Sequence, residues 1–413
     1  MNELSKKQET WKWKKGKVKN AFVRKNEKAN EEDPVVLSLA RSGVKIRDIT
    51  TGEGQLAENY SKYNPVEPGD LLLNPMDLYS GANCSLSKVS GVISPAYINL
   101  RAKKNILPKF YDYYFKVQYW SMAFFANGKG VSFDNRWTLN VETLMNYPIP
   151  LPPLSEQQKI ADYLDEKVKE IDNAIEKTKE TIELYKSFAN SMSTEFVTGK
   201  NLKSPKVKYD NMNYLGEVPK SWKITKLKTI FRFVSVKNHP NSEVLSLYRD
   251  YGVIPKSSRD DNHNVTSLNL DSYKFVKKGN LVINKMKAWQ GSLAISNYEG
   301  IVSPAYHVFE FKTNDINKMY IHYLIRSKQY AKEFERLSTG MRIGQWDLSK
   351  EDFLNTSIII PDIKTQEEIV EKIEKNMNNI FILINKKNKL IDDLENYKKS
   401  LIYEYVTGKK EVK

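Results

Sequence analysis

The chain is written twice. Gly-Val-Ile-Ser-Pro-Ala-Tyr at residues 91–97 returns as Gly-Ile-Val-Ser-Pro-Ala-Tyr at 300–306, so Ser94 and Ser303 stand 209 residues apart (303 − 94). Trp137 and Trp346, Pro152 and Pro361, Gln157 and Gln366 share that offset, as do Val197-Thr198-Gly199-Lys200 and Val406-Thr407-Gly408-Lys409. The ten residues from Trp13 match those from Trp222 in the same register. Markers spread over almost the whole chain with one spacing define a tandem duplication, and a repeat of this kind constrains the fold before any local signal does. Any fold has to be built twice from similar instructions, within the two or three domains that 413 residues suggest.

Each half divides into two parts. The first, Trp13 to Pro153 and again Trp222 to Asp362, holds short runs of Val, Ile, Tyr and Asn broken by turn residues. "GDLLLN" and "GNLVIN" read as a turn entering a strand. "KFYDYYFKVQYWSMAFFA" and "KMYIHYLIRSKQYAKEFERL" read as helices with an aromatic face. The fold class is α+β, with a mixed α/β domain in each half.

The second part is a long helix. Ser155 and Gln158 form a candidate capping box, and prolines at 148, 150, 152 and 153 keep the helix from starting earlier. From Ala161 the positions 164, 168, 171, 175, 178, 182, 185, 189, 192 and 196 alternate spacings of three and four, and only Thr178 among them is polar. That is a coiled-coil seam. It recurs from Val370 to Tyr405, with Lys387 and Lys398 as its polar members. Gly199 and Gly408 suit the two C-terminal stops. Two such helices in one chain are expected to pair. An antiparallel pair, about 60 Å long for 40 residues, gives an internal repeat with pseudo-two-fold symmetry; the alternative is that each helix packs on its own domain. The expected division is residues 1–153 and 201–362 as two heads, and 154–200 and 363–413 as two helical spacers.

Lys and Arg outnumber Asp and Glu by 65 to 50, a net charge of +15. A globular protein this basic is expected to meet a polyanion, foremost nucleic acid. No apolar run approaches the ~20 residues of a membrane span, and the N-terminus lacks the apolar stretch of a signal peptide. Cys84 is the sole cysteine, which excludes an internal disulfide and suits a reducing, cytoplasmic setting.

Catalytic patterns are missing. There is no phosphate-cradling Gly-x-x-x-x-Gly-Lys-Ser/Thr and no Gly-rich dinucleotide fingerprint. Asn74-Pro75-Met76-Asp77 lacks the second proline and the aromatic of the amino-methyltransferase motif. "PDIK" at 361–364 sits where a helix begins and reads as capping. His239, His263, His307 and His322 all lie in the second half, whereas a duplicated active site would need them in both. Neither a catalytic residue nor a metal site is expected.

What remains is recognition by loops rich in Arg, Lys, Asn, Gln and aromatics, the side chains that bond base edges and phosphates. The candidates in the first half are Arg41, Lys45, Arg47, Tyr79, Lys129, Asn135 and Arg136. In the second they are Arg249, Lys256, Arg259, Lys285, Lys287, Gln290, Arg342 and Gln345. Trp137 and Trp346 recur at one offset and are expected to pack rather than stack on bases. Positions that differ between the halves are better placed to read different sequences.

"PIPLPPLSEQQKIADYLDEKVKEIDNAI", followed by "VTGK", resembles the central region of the specificity subunits of type I restriction–modification systems. "YLGEVPKSW", "GNLVINKMKAWQGSLAIS" and "IVSPAY" resemble that family's second recognition domain. The resemblance spans nearly the whole chain. It implies two target recognition domains, each reading half of a bipartite site in double-stranded DNA, and helices that set the gap and dock two methyltransferase (modification) subunits. It further implies that S-adenosylmethionine, ATP and Mg belong to those subunits and to the restriction (translocase/endonuclease) subunits, with no cofactor on this chain. "IPDIKTQEEI" is degenerate beside "LPPLSEQQKI", so the two junctions need not dock a partner equally. Two alternatives stay open at this point: a fused methyltransferase-specificity enzyme, and a coiled-coil scaffold that does not bind DNA.

Overall fold

A computed structural model describes residues 12–412 except 31–33, 41, 50–58, 77, 79–82, 131–136, 250, 260–265, 268 and 341–345. The chain forms two compact units: residues 1–179 with 388–413, and residues 180–387. The boundaries fall inside the two long helices, Leu154–Thr198 and Ile363–Val406. Each unit therefore holds one head, the first part of the helix that follows it and the last part of the other helix.

The heads share one strand plan. In the first unit a four-stranded antiparallel sheet runs Phe22–Lys25, Ile98–Ala102, Leu71–Leu73, Cys84–Leu86. In the second the order is Phe231–Val234, Tyr306–Phe311, Leu281–Asn284, Leu293–Ile295. Among the described residues three two-stranded antiparallel ladders accompany the first sheet and four the second. One pairs the head's entry with its exit, Lys14–Lys17 with Pro148–Leu151 and Lys223–Lys226 with Ser357–Ile360.

The repeated heptapeptide has a steric reason for its leading glycine. The amide of Val92 donates to the carbonyl of Val35, and that of Ile301 to the carbonyl of Glu243, both at 2.8 Å. A β-carbon on Gly91 or Gly300 would press into the same carbonyl oxygen, backbone that cannot swing aside. Ser94 and Ser303 then close the turn: each hydroxyl accepts from the amide two residues on, and each carbonyl from the tyrosine amide three residues on.

The aromatic helices are each broken in two. Pro108–Trp120 and Ala123–Ala126 are separated at Met122, which is left-handed with φ of 60°. Lys318–Ile325 and Lys328–Leu337 are separated at Arg326 and Ser327. Their inner faces carry buried tyrosines whose hydroxyls need acceptors: Tyr111 donates to Pro150 O at 2.8 Å, Tyr320 to Ile359 O at 3.2 Å and Val197 O at 3.1 Å. Burial pushes both phenols above their usual range.

Helix entry differs from the expected capping box. The first helix begins at Leu154, one residue before Ser155, and the amides of Glu156 and Gln157 donate to Pro153 O. Gln158 bonds Asp162 instead of the helix end. The neighbouring Gln157, 1% exposed, fastens the helix to the head: Oε1 accepts from the Leu107 amide at 2.7 Å, and Nε2 donates to Pro152 O at 2.8 Å. Gln366 does the same with the Asn317 amide and Pro361 O, both at 2.9 Å. Asp362 caps the second helix, accepting from the Thr365 amide at 3.0 Å. Both helices stop as expected, with Gly199 and Gly408 left-handed and Lys200 and Lys409 donating back to Glu195 O and Glu404 O.

Every seam position, from Ala161 to Phe196 and from Val370 to Tyr405, is buried or half-buried. Within the first unit Tyr163 meets Tyr405 with ring centroids 4.7 Å apart, and Asp172 holds Lys398 at 2.8 Å. As one helix advances the other retreats, so these two segments run antiparallel.

Gly91→Ala and Gly300→Ala should each destabilise their own unit by roughly 1–3 kcal/mol, since the added methyl meets a backbone carbonyl and the side chain of Leu37 or Leu245. Urea unfolding of the single and double variants checks this; wild-type stability of either variant would refute the close approach at that position.

Candidate nucleic-acid interface

Three loops meet at one end of each sheet because strand register brings them there. In the first unit Leu73 pairs with Ile98, so the loop after Leu73 and the Ser94–Tyr97 turn share an edge. The amide of Leu139 donates to Pro75 O at 2.8 Å, which adds the loop that Lys129 and Thr138 close by pairing. The Asn83 amide reaches Ala40 O at 2.6 Å and draws in the Leu37–Ile46 hairpin. In the second unit Asn284 pairs with Tyr306, Leu348 donates to Lys285 O at 3.0 Å, and Thr339 pairs with Asp347.

The candidates from sequence fall on these loops unequally. Lys45 lies exposed on the first hairpin, Arg47 follows directly after that strand and is half-buried, and Lys129 is exposed at the mouth of the third loop. In the second unit Arg249 donates to Gln290 Oε1 at 3.2 Å, joining the hairpin Leu245–Pro255 to the 3-10 segment Lys285–Gln290. Arg326 supports that contact from behind through the carbonyls of Arg249 and Leu293. Arg259 lies 4.4 Å over the Tyr251 ring and Lys256 bonds Thr266 at 2.6 Å. Lys285 is held by Asp347 at 2.6 Å, while Lys287 is exposed. Arg41, Tyr79, Asn135, Arg136, Arg342 and Gln345 lie outside the described residues.

Trp137 and Trp346 are half-buried, each against a neighbouring aromatic ring. Trp137 lies 5.5 Å from the Phe125 ring and donates to its carbonyl at 2.8 Å; Trp346 lies 5.5 Å from Trp289.

Sequence reasoning missed Lys274. It opens the strand Lys274–Val276, is 8% exposed, and donates to Pro304 O at 2.8 Å and Tyr306 O at 2.5 Å. The ammonium thus braces the repeated Ser-Pro-Ala-Tyr turn from below in this unit. Burial lowers its pKa, and Lys237, Lys285 and Lys350 lower it further. Lys274, Lys350 and His307 all face the Phe233 ring, at 5.8, 5.1 and 5.8 Å. No run in the sequence marks this group, because its members come from four separate segments.

Groups that could do chemistry are held quiet. Cys84 is buried, and desolvation raises its thiol well above the usual value. Burial lowers the pKa of His307, and the Lys274 charge lowers it again. His322 is pushed down to about 3 by burial and then by Arg326, and its Nδ1 accepts the Ile295 amide at 3.3 Å. Among the described residues no three His, Cys, Asp or Glu side chains come together as a metal-holding group, and no helix is long and apolar enough to cross a membrane.

A duplicated α+β frame with polar loops gathered at one edge of each copy is the design of a sequence-recognition protein. The profile of the type I restriction modification DNA specificity domain matches residues 13–184 and 219–393, and the chain belongs to that family. It is 26% identical over 379 residues to the type I restriction enzyme MjaVIII specificity subunit of Methanocaldococcus jannaschii, covering 86% of this chain and 83% of that one. It is 28% identical over 224 residues to the EcoBI specificity subunit of Escherichia coli, spanning 52% of this chain and 44% of that protein. A solved chain from a study of the assembly and conformational transition of a type I restriction–modification system shares the fold, with a TM-score of 0.59, 13% identity, and 95% and 97% of the two chains covered.

The buried histidine makes a prediction about pH. His322 is neutral in the fold down to about pH 3 but takes up a proton near 6.5 once unfolded. It therefore subtracts nothing above pH 6.5 and withdraws stability progressively as pH falls from there toward 3. Thermal unfolding from pH 7 to 4 should show a shallower decline for His322→Gln than for wild type. An imidazole resonance of His322 titrating near pH 6.5 in the folded protein would overturn the assignment.

Proposed function

We propose that this chain is the DNA-reading subunit of a type I complex, with each head reading one half of a bipartite, asymmetric site in double-stranded DNA. The observation that carries the reading is one frame built twice with different loops. The same strands, tyrosines and helix junctions recur at the 209-residue offset. Yet Arg249 and Lys287 are exposed in the second head, beside the half-buried Gln290, where the first has other residues at the 209-residue offset. A shared frame with divergent edges is what two readers of unlike half-sites require.

In this reading the division at 153, 200 and 362 separates heads from spacers, and the two long helices pair antiparallel as a coiled coil that sets the gap and docks two modification subunits. The opposed sense of the Tyr163–Tyr405 and Asp172–Lys398 contacts supports the pairing. Methyl transfer then belongs to the modification subunits with their S-adenosylmethionine, and ATP- and Mg-dependent cleavage to restriction subunits. The protein works in the cytoplasm, where DNA and those subunits are.

Arg249, oriented by Gln290, reads a base edge, and Lys287 holds a phosphate; Lys45, Arg47 and Lys129 serve the first head. Arg249→Ala should cost about 1–3 kcal/mol and relax a single base of one half-site. Lys287→Ala should weaken binding evenly across sequences and reduce the salt slope by about one. Titrating both variants on a panel of single-base site changes separates the roles, and an Arg249→Ala protein with wild-type selectivity removes it from the site.

Inserting one heptad into both helices, near Thr178 and Lys387, keeps the seam and adds about 10 Å. At about 3.4 Å per base pair the unread gap should widen by up to about three base pairs. Those also turn the second half-site by roughly 100°, so affinity should fall. The half-sites themselves should stay the same. Sequencing the adenines methylated by the lengthened chain with its modification subunit is the decisive measurement. Unchanged spacing at full activity would mean the helices are not the ruler, and no split site in the wild type would end the reading as a whole.

A further inference from the structure

One group of lysines in the second unit carries its own carboxylate. Lys274 and Lys350 stand over the Phe233 ring, and His307, packed against the same ring, brings Nε2 to 3.3 Å from Leu348 O. Leu348 donates its amide to Lys285 O, and the preceding Asp347 holds the Lys285 ammonium at 2.6 Å. After burial, the charges of Lys237, Lys285 and Lys350 are what lower the Lys274 pKa, so four ammonium groups share one field. The carboxylates paired with them are Asp347 on Lys285 and the exposed Glu351, 3.5 Å from Lys350. Among the described residues Lys237 and Lys274 pair with no carboxylate; Lys274 bonds the neutral carbonyls of Pro304 and Tyr306. Positive charge is left over at the loop edge, and such an excess draws a polyanion.

The Lys285–Asp347 pair is not what closes the loop. The backbone of Asp347 pairs with Thr339 in both directions, at 3.2 and 2.9 Å, and Leu348 fastens the strand to Lys285 O at 3.0 Å. The first unit makes the same closure without any ion pair. There Lys129 and Thr138 exchange bonds of 2.8 and 3.0 Å, and Leu139 donates to Pro75 O at 2.8 Å. Thr138 stands at the repeat position of Asp347, and Pro75 takes the amide that Lys285 takes in the second unit. Val141 stands at the position of Lys350. The frame therefore does without both charges, and the second head carries them together. The two side chains are 33% and 44% exposed, and a pair that wet contributes little stability. A carboxylate and a phosphodiester both offer anionic oxygens to an ammonium, so one can replace the other at small cost.

We infer that Lys285, with Lys237 and Lys350 near it, takes backbone phosphates of bound DNA, and that the Asp347 carboxylate occupies Lys285 until a phosphate displaces it. Lys274 touches no phosphate; it braces the Ser-Pro-Ala-Tyr turn and adds its charge to the field. The inference rests on the DNA-reading function proposed above and deepens it, giving the second head a built-in competitor that weak encounters must overcome.

The test is fluorescence anisotropy of a labelled mixed-sequence duplex with the full-length chain, over a series from about 50 to 200 mM salt. Asp347→Asn should bind at least about threefold more tightly on every sequence tried. Adding Lys285→Gln to Asp347→Asn should abolish that gain and lower the salt slope by about one relative to Asp347→Asn. Equal or weaker binding by Asp347→Asn would overturn the inference, because the carboxylate would then support the site instead of masking it. A gain that survives Lys285→Gln would overturn it too, since Asp347 would then act by general repulsion and Lys285 would hold no phosphate. Thermal unfolding of each variant guards against loss of fold. Should Asp347→Asn not fold, the wild-type chain decides: acetylation of Lys285 by an amine-reactive reagent should fall at least about threefold when duplex is added, and unchanged labelling sinks the inference. Failure of the wild type to bind any duplex at the lowest salt would instead end the DNA-reading function itself, and this inference with it.

Discussion

The junction between head and helix rests on one buried glutamine in each unit. Gln157 and Gln366 each satisfy a backbone amide on the aromatic-helix side and a proline carbonyl on the strand side. An amide side chain is suited to this because it carries a donor and an acceptor on one rigid plane. With both partners buried, loss of the glutamine would leave backbone groups without water or bond, a cost of several kcal/mol in hydrogen bonds and desolvation. Glutamate could not donate and methionine could do neither. The helix therefore leaves the head at a set angle in both units, and everything that depends on helix direction depends on this contact.

From that junction the two units build outward in the same way. Trp13 and Trp222 pack edge-on to Phe110 and Tyr320, at 6.1 and 6.4 Å, and close over Gly408 and Gly199 at the arriving helix ends. Each unit thus receives the start of one long helix and the end of the other. The sheet edge beyond carries no part of this scaffold. It is free to change its residues, as the buried Lys274 of one unit and the Asn64 of the other show at the start of equivalent strands.

Much of this was legible in the sequence, and the reasons differ by feature. The duplication, the long helices, their seam and their glycine stops are local or periodic signals, and each needs only spacing to be seen. The first helix starts ahead of the Ser155 cap its sequence suggests, and of the two adjacent glutamines only packing tells which one turns inward. The aromatic helices read as continuous because a left-handed Met122 has no sequence mark. Of the recognition candidates, Arg249 and Gln290 are brought together although 41 residues separate them. Lys285, another candidate, is paired with Asp347, 62 residues away along the chain.

By itself the sequence determined that the chain is two similar heads with two long helices, since periodicity and repetition are properties of order along the chain. Tertiary structure alone decided which segments share a unit, because a helix's partner is chosen by contacts between residues such as Asp172 and Lys398, 226 positions apart. It also decided which charges are spent inside the fold. Lys274 and Lys287 are alike as letters, but one is buried under a turn with its ammonium bonded to two carbonyls, and the other stands in water. Burial and partnership set what a charged side chain can do, and neither is written in its neighbours along the chain.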